Sequence, residues 1–238
     1  MILSVFILII SVLISGITLY FTGLYVHWYF DLIGVILIPV IFLLVFGIIL
    51  LILFIIGLMI DTKKEDIKPN KLCMHIAYQV TYVLTLIVAK VKFIGKEKLP
   101  KERFLLVYNH RSNWDPMVLM KEINNKDVYY ITKPGNMKIP VAGPFIKRAG
   151  YIPLNRENNK EGLKAIIKAI NIISSDKGSI GIAPEGTRNK TLEKELLDFH
   201  PGSFKIALKA KCPIVVCTVK NCEKIKKNFP FKRTRVYI

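Results

Sequence analysis

Two short stretches carry residues of the types and spacing that do chemistry. In Asn109-His110-Arg111-Ser112-Asn113-Trp114-Asp115-Pro116 an imidazole and a carboxylate stand five positions apart. The apolar run 104–108 before it reads as a short buried strand. Asp115-Pro116 reads as a helix start, with Asp at the N-cap and Pro at the first helical position. His110 then lies where a strand ends, the place where sites gather in open α/β sheets. A tight turn folds Asp115 back onto the ring, where it fixes the tautomer and stabilises the cation formed when the histidine takes a proton. The result is a general-base pair with no serine or cysteine nucleophile in the motif. The plainer alternative is an N-cap aspartate beside a structural histidine.

The second stretch is Pro184-Glu185-Gly186-Thr187-Arg188, behind the apolar run 179–183. Gly186 permits close backbone approach, Thr187 offers a hydroxyl, and Arg188 offers the planar fork that suits a phosphate. An ordinary turn with a surface arginine has the same letters. Two further cations stand alone at the ends of apolar runs. Lys133 follows 128–132, and Arg156 closes Gly150-Tyr151-Ile152-Pro153-Leu154-Asn155-Arg156.

These residues need a scaffold, and the remaining pattern supplies one. Asn158 and Glu161 form an Asn variant of the capping box ahead of Leu163, Ile166, Ile167, Ile170 and Ile173, a helical period expected to face the core. The segment 134–150, punctuated by Pro and Gly, predicts short broken helices. Runs 213–219 and 235–238 read as late strands, and 204–210 as a helix. Strands alternating with helices argue an α/β domain: layered, with a mostly parallel central sheet flanked by helices. His200, with no partner nearby in sequence, reads as structural.

Composition divides the chain in two. No Lys or Arg precedes Lys63, and Asp31 is the sole charged side chain up to Ile60, so 61–238 carries a formal charge of +19. Runs 2–26 and 32–60 are each long enough to cross about 30 Å of hydrocarbon. They meet at the aromatic-rich Tyr25-Val26-His27-Trp28-Tyr29-Phe30-Asp31. This predicts an N-terminal transmembrane helical hairpin over 1–60, with a pair of helices dipping into one leaflet as the alternative. A connecting interfacial helix and basic strip follow over 61–100, then the main domain over 101–238. The basic C-terminal piece places the domain on the cytoplasmic face of the cell membrane. So basic a piece calls for an anionic partner, and beside an anchor that partner is lipid; no nucleic-acid module is visible. Cys73, Cys212, Cys217 and Cys222 include no Cys-x2-Cys pair, so they read as reduced thiols and not as a metal site.

Taken in order, these motifs resemble those of the glycerolipid acyltransferases, in particular the 1-acylglycerol-3-phosphate acyltransferases. Asn109-His110 with Asp115 resembles the family's first motif, which implies that His110 and Asp115 are the catalytic pair. Gly150 to Arg156 resembles the second, with Pro153-Leu154-Asn155 where Phe-Ile-Asp is frequent. Glu185-Gly186-Thr187-Arg188 resembles the third, and Pro213-Ile214-Val215-Val216 the fourth, with Val216 where a second Pro is usual. The resemblance implies that Arg156 and Arg188, with Lys133 near them, hold a glycerol phosphate, with Glu185, Gly186 and Thr187 in the same substrate site. It further implies acyl transfer from a thioester, acyl-CoA or acyl carrier protein, to lysophosphatidic acid, with no cofactor and no metal. An acyltransferase, transacylase or hydrolase acting on another lysophospholipid, and a non-catalytic membrane protein that binds anionic lipid, are the alternatives.

Overall fold

The computed structural model describes residues 13–14, 16–17, 20, 28–59, 69–123, 127–140, 142–191 and 195–238. The chain divides into two units, Met1–Asp61 and Thr62–Ile238. In the first, α1 (Trp28–Met59) is a 32-residue helix, about 48 Å long at 1.5 Å per residue. It begins inside the aromatic stretch expected to form the loop, so Trp28 to Asp31 are helical. The expected span over 2–26, and the hairpin with it, lies almost wholly outside the described residues.

The second unit opens with α2 (Lys71–Val88), capped by Asn70, whose Oδ1 accepts from the amides of Leu72 and Cys73 at 2.9 and 3.2 Å. Its length and composition are sufficient to cross a membrane. Its amphipathicity is inverted. Gln79, Thr81 and Thr85 are buried, while Leu72, Val80, Leu84 and Ile87 are exposed. The polar side packs on α3 (Trp114–Glu122) and α4 (Ala142–Arg148). The apolar side is left outward, the reverse of a helix solvated by water.

Five parallel strands form the main sheet: β2 (Leu105–Tyr108), β3 (Val128–Thr132), β4 (Ile152–Pro153), β5 (Ser179–Ile182) and β6 (Ile214–Cys217). Their spatial order is β4-β3-β5-β2-β6. Both faces are covered, so β2 and β5 are buried along their whole length, as a continuous apolar run in a parallel sheet requires. Alternation divides β2 between two cores. Leu106 and Tyr108 join Val118 and Leu119 of α3, and Leu105 and Val107 join α5 (Asn159–Ser174) and α6 (Lys205–Ala210).

α5 corrects the expected core face in part. Ile173 is buried, and Ile166 and Ile170 pack against the core as expected. Leu163 and Ile167 are instead 60% and 47% exposed, and Ala165, Ala169 and Ile172 complete the seam. Alanine lets the helix approach the sheet closely, which leaves the bulkier residues on the flanks. Its start matches the expected cap: Asn158 Oδ1 accepts from the amides of Lys160 and Glu161. The Glu161 carboxylate takes Asn155 Nδ2 instead of closing the box.

A separate two-stranded parallel ribbon pairs β1 (Ala89–Lys92) with β7 (Thr234–Tyr237). The short helix α7 (Ile225–Asn228) precedes β7. β1 runs on directly from α2, inside the segment expected to be helix and solvated basic strip.

Candidate active site

All five strands of the main sheet run the same way, so their carboxyl ends share one edge. Four candidate loops leave from that edge: His110 two residues past β2, Lys133 one past β3, Arg156 three past β4, and 185–188 shortly past β5. The 3₁₀ turn Pro134–Lys138 and α4 follow Lys133, in keeping with the broken helices expected there.

His110 Nδ1 lies 3.1 Å from Asp115 Oδ2. That same oxygen accepts from the amides of Arg111 and Ser112 at 2.8 and 2.7 Å. This geometry corrects the reading of Asp115 as N-cap. The helix begins at Trp114 with Asn113 at the cap position, and Asp115 stands in the first turn with its side chain turned back over the loop. An oxygen with three N–H donors is held in place. The carboxylate is fully buried, while the His110 side chain is 18% exposed. With Nδ1–H donating to Asp115, Nε2 is the ring nitrogen left for an outside proton.

The main chain of His110 is fixed as firmly as its ring. Its N–H donates to Glu185 Oε1 at 2.7 Å, and its carbonyl accepts from Asn189 N at 2.7 Å. Glu185 Oε2 accepts from Leu197 N at 3.0 Å. Glu185, 3% exposed, is therefore a brace between two loops, with both oxygens engaged by the protein. Asn109 adds a second clasp: its side chain donates to the Val219 carbonyl and accepts from the Val219 amide, at 3.0 and 2.7 Å.

Gly186 has a φ of +75°, which favours glycine. A methyl group in place of its hydrogen would lie 2.7 Å from His200 Nε2 and 3.2 Å from Arg156 Cζ. Both side chains therefore lie against the glycine. His200 is brought there by a bond from its amide to the Pro184 carbonyl, 2.9 Å. Nothing in its sequence neighbourhood announced this position; the one signal was a histidine ahead of Pro201-Gly202 on a loop returning to the sheet. Lys133 and Thr187 are exposed and Arg188 partly so.

Behind His110 stands a row of aromatic rings. Tyr108 is 6.4 Å from His110, Tyr130 is 6.2 Å from Tyr108, and Tyr151 is 5.8 Å from Tyr130, centroid to centroid. Burial, then the Asp115 carboxylate, push the Tyr108 phenol up. Burial does the same to Tyr130 and Tyr151, so the row stays neutral. Partial burial lowers Arg156 from its ordinary value, an effect opposed by Tyr108. Burial and the nearby Asp115 carboxylate keep the Cys222 thiol protonated. All four cysteines are free.

A buried carboxylate orienting an imidazole, with a guanidinium over a neighbouring turn, can deprotonate a hydroxyl on a molecule that also carries an anion. Residues 90–220 match the family model described as acyltransferase. The chain belongs to this acyltransferase family. Among its relatives, a Saccharomyces cerevisiae protein named 1-acyl-sn-glycerol-3-phosphate acyltransferase is 30% identical over 55% of this chain and 43% of its own length. A Borreliella burgdorferi protein of the same name is 31% identical over 58% and 55%. A Mycoplasma pneumoniae protein named as a probable enzyme of that kind is 26% identical over 71% and 65%. The chain thus spans between 43% and 65% of the length of these three relatives. The crystal structure of the 1-acyl-sn-glycerophosphate (LPA) acyltransferase of Thermotoga maritima shares the fold. Its TM-score is 0.53 at 19% identity, over 80% of this chain and 83% of that one.

Proposed function

We propose that this acyltransferase moves a fatty acyl group from a thioester donor, acyl-CoA or acyl carrier protein, to the sn-2 hydroxyl of 1-acylglycerol 3-phosphate, giving phosphatidic acid. His110 Nε2 takes the hydroxyl proton as the oxygen attacks the thioester carbonyl. The carbon–sulfur bond breaks, the thiol leaves as thiolate, and the imidazolium, stabilised by Asp115, returns its proton to it or to water. Arg156, Arg188 and Lys133, with Thr187 at the same turn, hold the phosphate and so place the hydroxyl; orientation of this kind supplies several kcal/mol of a barrier. Gly186 allows the close approach, and Glu185 acts on the His110 main chain and not on the lipid.

The observation that carries this reading is the 3.1 Å contact between His110 and Asp115 at the carboxyl edge of the sheet, with Nε2 left for substrate. The outward apolar side of α2 and the apolar helix α1 support a membrane anchor, with the basic domain on the cytoplasmic face. The test is a detergent or liposome assay offering lysophosphatidic acid with each donor in turn. Equal amounts of phosphatidic acid and free thiol support acyl transfer. Fatty acid in place of phosphatidic acid means water is the acceptor, and turnover of neither substrate overturns lysophosphatidic acid as the acceptor.

A further inference from the structure

The β1–β7 ribbon has an outward face that acyl transfer does not use. Its register sets Lys90 opposite Arg235 and Lys92 opposite Tyr237. Ala89, Thr234 and Val236 are buried beneath, so Lys90, Lys92, Arg235 and Tyr237 share the outward side. Like charges directly opposite on two strands repel, and in water alone the pair weakens the ribbon.

The loop entering β7 adds a second anomaly. Phe231 is 96% exposed, more than any other large apolar side chain among the described residues, and Phe229 is 49% exposed. This loop is pinned, not loose. Phe229 N donates to the Ile225 carbonyl, Lys232 N to the Asn228 carbonyl, and Asn228 Nδ2 to Thr234 Oγ1, at 3.0, 2.9 and 2.9 Å. Arg233 Nη2 reaches the Ala89 carbonyl of β1 at 2.8 Å, which joins the loop to the ribbon. Across 220–238 the side chains are Lys220, Lys224, Lys226, Lys227, Lys232, Arg233 and Arg235 against Glu223 alone, a net charge of +6.

Paired cations and a fixed, fully solvated phenylalanine are both unfavourable in water, and both become favourable against one surface. Basic residues are drawn to anionic headgroups, and aromatic rings settle at the lipid–water boundary. We propose that the outward face of the β1–β7 ribbon and the Phe229–Phe231 tip form a docking surface for an anionic bilayer. There Lys90, Lys92, Arg233 and Arg235 lie among the headgroups and Phe231 reaches below them. This surface is read without substrate, so it stands or falls separately from the acyl-transfer assay.

The experiment places Phe231→Trp in the full chain, reconstituted in vesicles, and reads the emission added over the unsubstituted protein. Brominated phosphatidylcholine in the same bilayer serves as quencher. With phosphatidylglycerol present, the added emission is blue-shifted and quenched. High salt, pure phosphatidylcholine, or Lys90→Gln with Arg235→Gln reduces the ratio of docked to free loop, roughly 30-fold for the double variant. Lys90→Glu serves as an independent check: it raises the melting temperature in detergent by pairing with Arg235 while abolishing the quenching. Emission unquenched in every bilayer overturns the proposal. So does a blue shift without quenching, which means that protein covers the tip. A lower melting temperature for Lys90→Glu removes the like-charge argument and overturns it as well.

Discussion

The amide of His110 donates to Oε1 of Glu185, 75 positions later, at 2.7 Å. One buried carboxylate thus ties the loop after β2 to the loop after β5 and sets where the imidazole starts. Glu185→Ala leaves the amides of His110 and Leu197 without their acceptor. Hydrogen bonds to a charged group are worth about 1.5–3 kcal/mol each, so the variant loses stability of at least that order and its melting temperature falls. Its kcat falls with the distorted loop, and a thermal melt beside a rate measurement checks both.

Asp115→Asn keeps the size of the side chain and removes its charge. The imidazolium formed during proton transfer then lacks its partner, so kcat falls while KM for either substrate changes little. Initial rates across both substrate concentrations separate the two constants.

Arg156→Ala removes the guanidinium over Gly186. Losing a charge-assisted contact to phosphate raises KM for lysophosphatidic acid roughly 10–100-fold. The KM for the thioester donor stays put. Equal rises for both substrates would mean that Arg156 supports the fold of the site.

Gly186→Ala forces a left-handed backbone onto a residue with a side chain and drives a methyl group into the His200 ring. A strained position of this kind costs roughly 1–3 kcal/mol. The melting temperature falls and acceptor KM rises together, since the ring and the Arg156 guanidinium must both move.

Burial pushes the Cys217 thiol from 9.0 up to about 11. The sign follows from linkage: a thiol that ionises later in the folded chain than in the unfolded one favours unfolding across the interval between the two values. This contribution is level below pH 9 and declines from there to about pH 11. Cys217→Ala is less stable at neutral pH because it leaves a cavity, but loses less stability across that interval. Melting curves at stepped pH measure the difference in slope.

Much of this arrangement could be read from the residues because strands buried on both faces are written as unbroken apolar runs. β2, β3 and β5 have that form, and the motifs at their ends follow. β6, whose run reads as equally buried, lies instead at the sheet edge, with Ile214 and Val216 exposed. β1 does not: two of its four residues are lysines, and its partner β7 lies 145 positions away. Asp115-Pro116 has the letters of a cap, yet the aspartate serves the loop behind it because three N–H groups converge there. In α5 hydrophobicity pointed to Leu163 and Ile167, while closeness of packing chose Ala165 and Ala169. His200 and Arg156 both come against Gly186 through long-range chain return, which no local pattern encodes.

The account rests on an imidazole acting as a base. Its most direct test is His110→Ala in the reconstituted assay with lysophosphatidic acid and a thioester donor, alongside a thermal melt of the same preparation. The account predicts a loss of about 10²–10⁴-fold in kcat with the melting temperature nearly unchanged. Turnover at the unsubstituted rate by folded His110→Ala would contradict it.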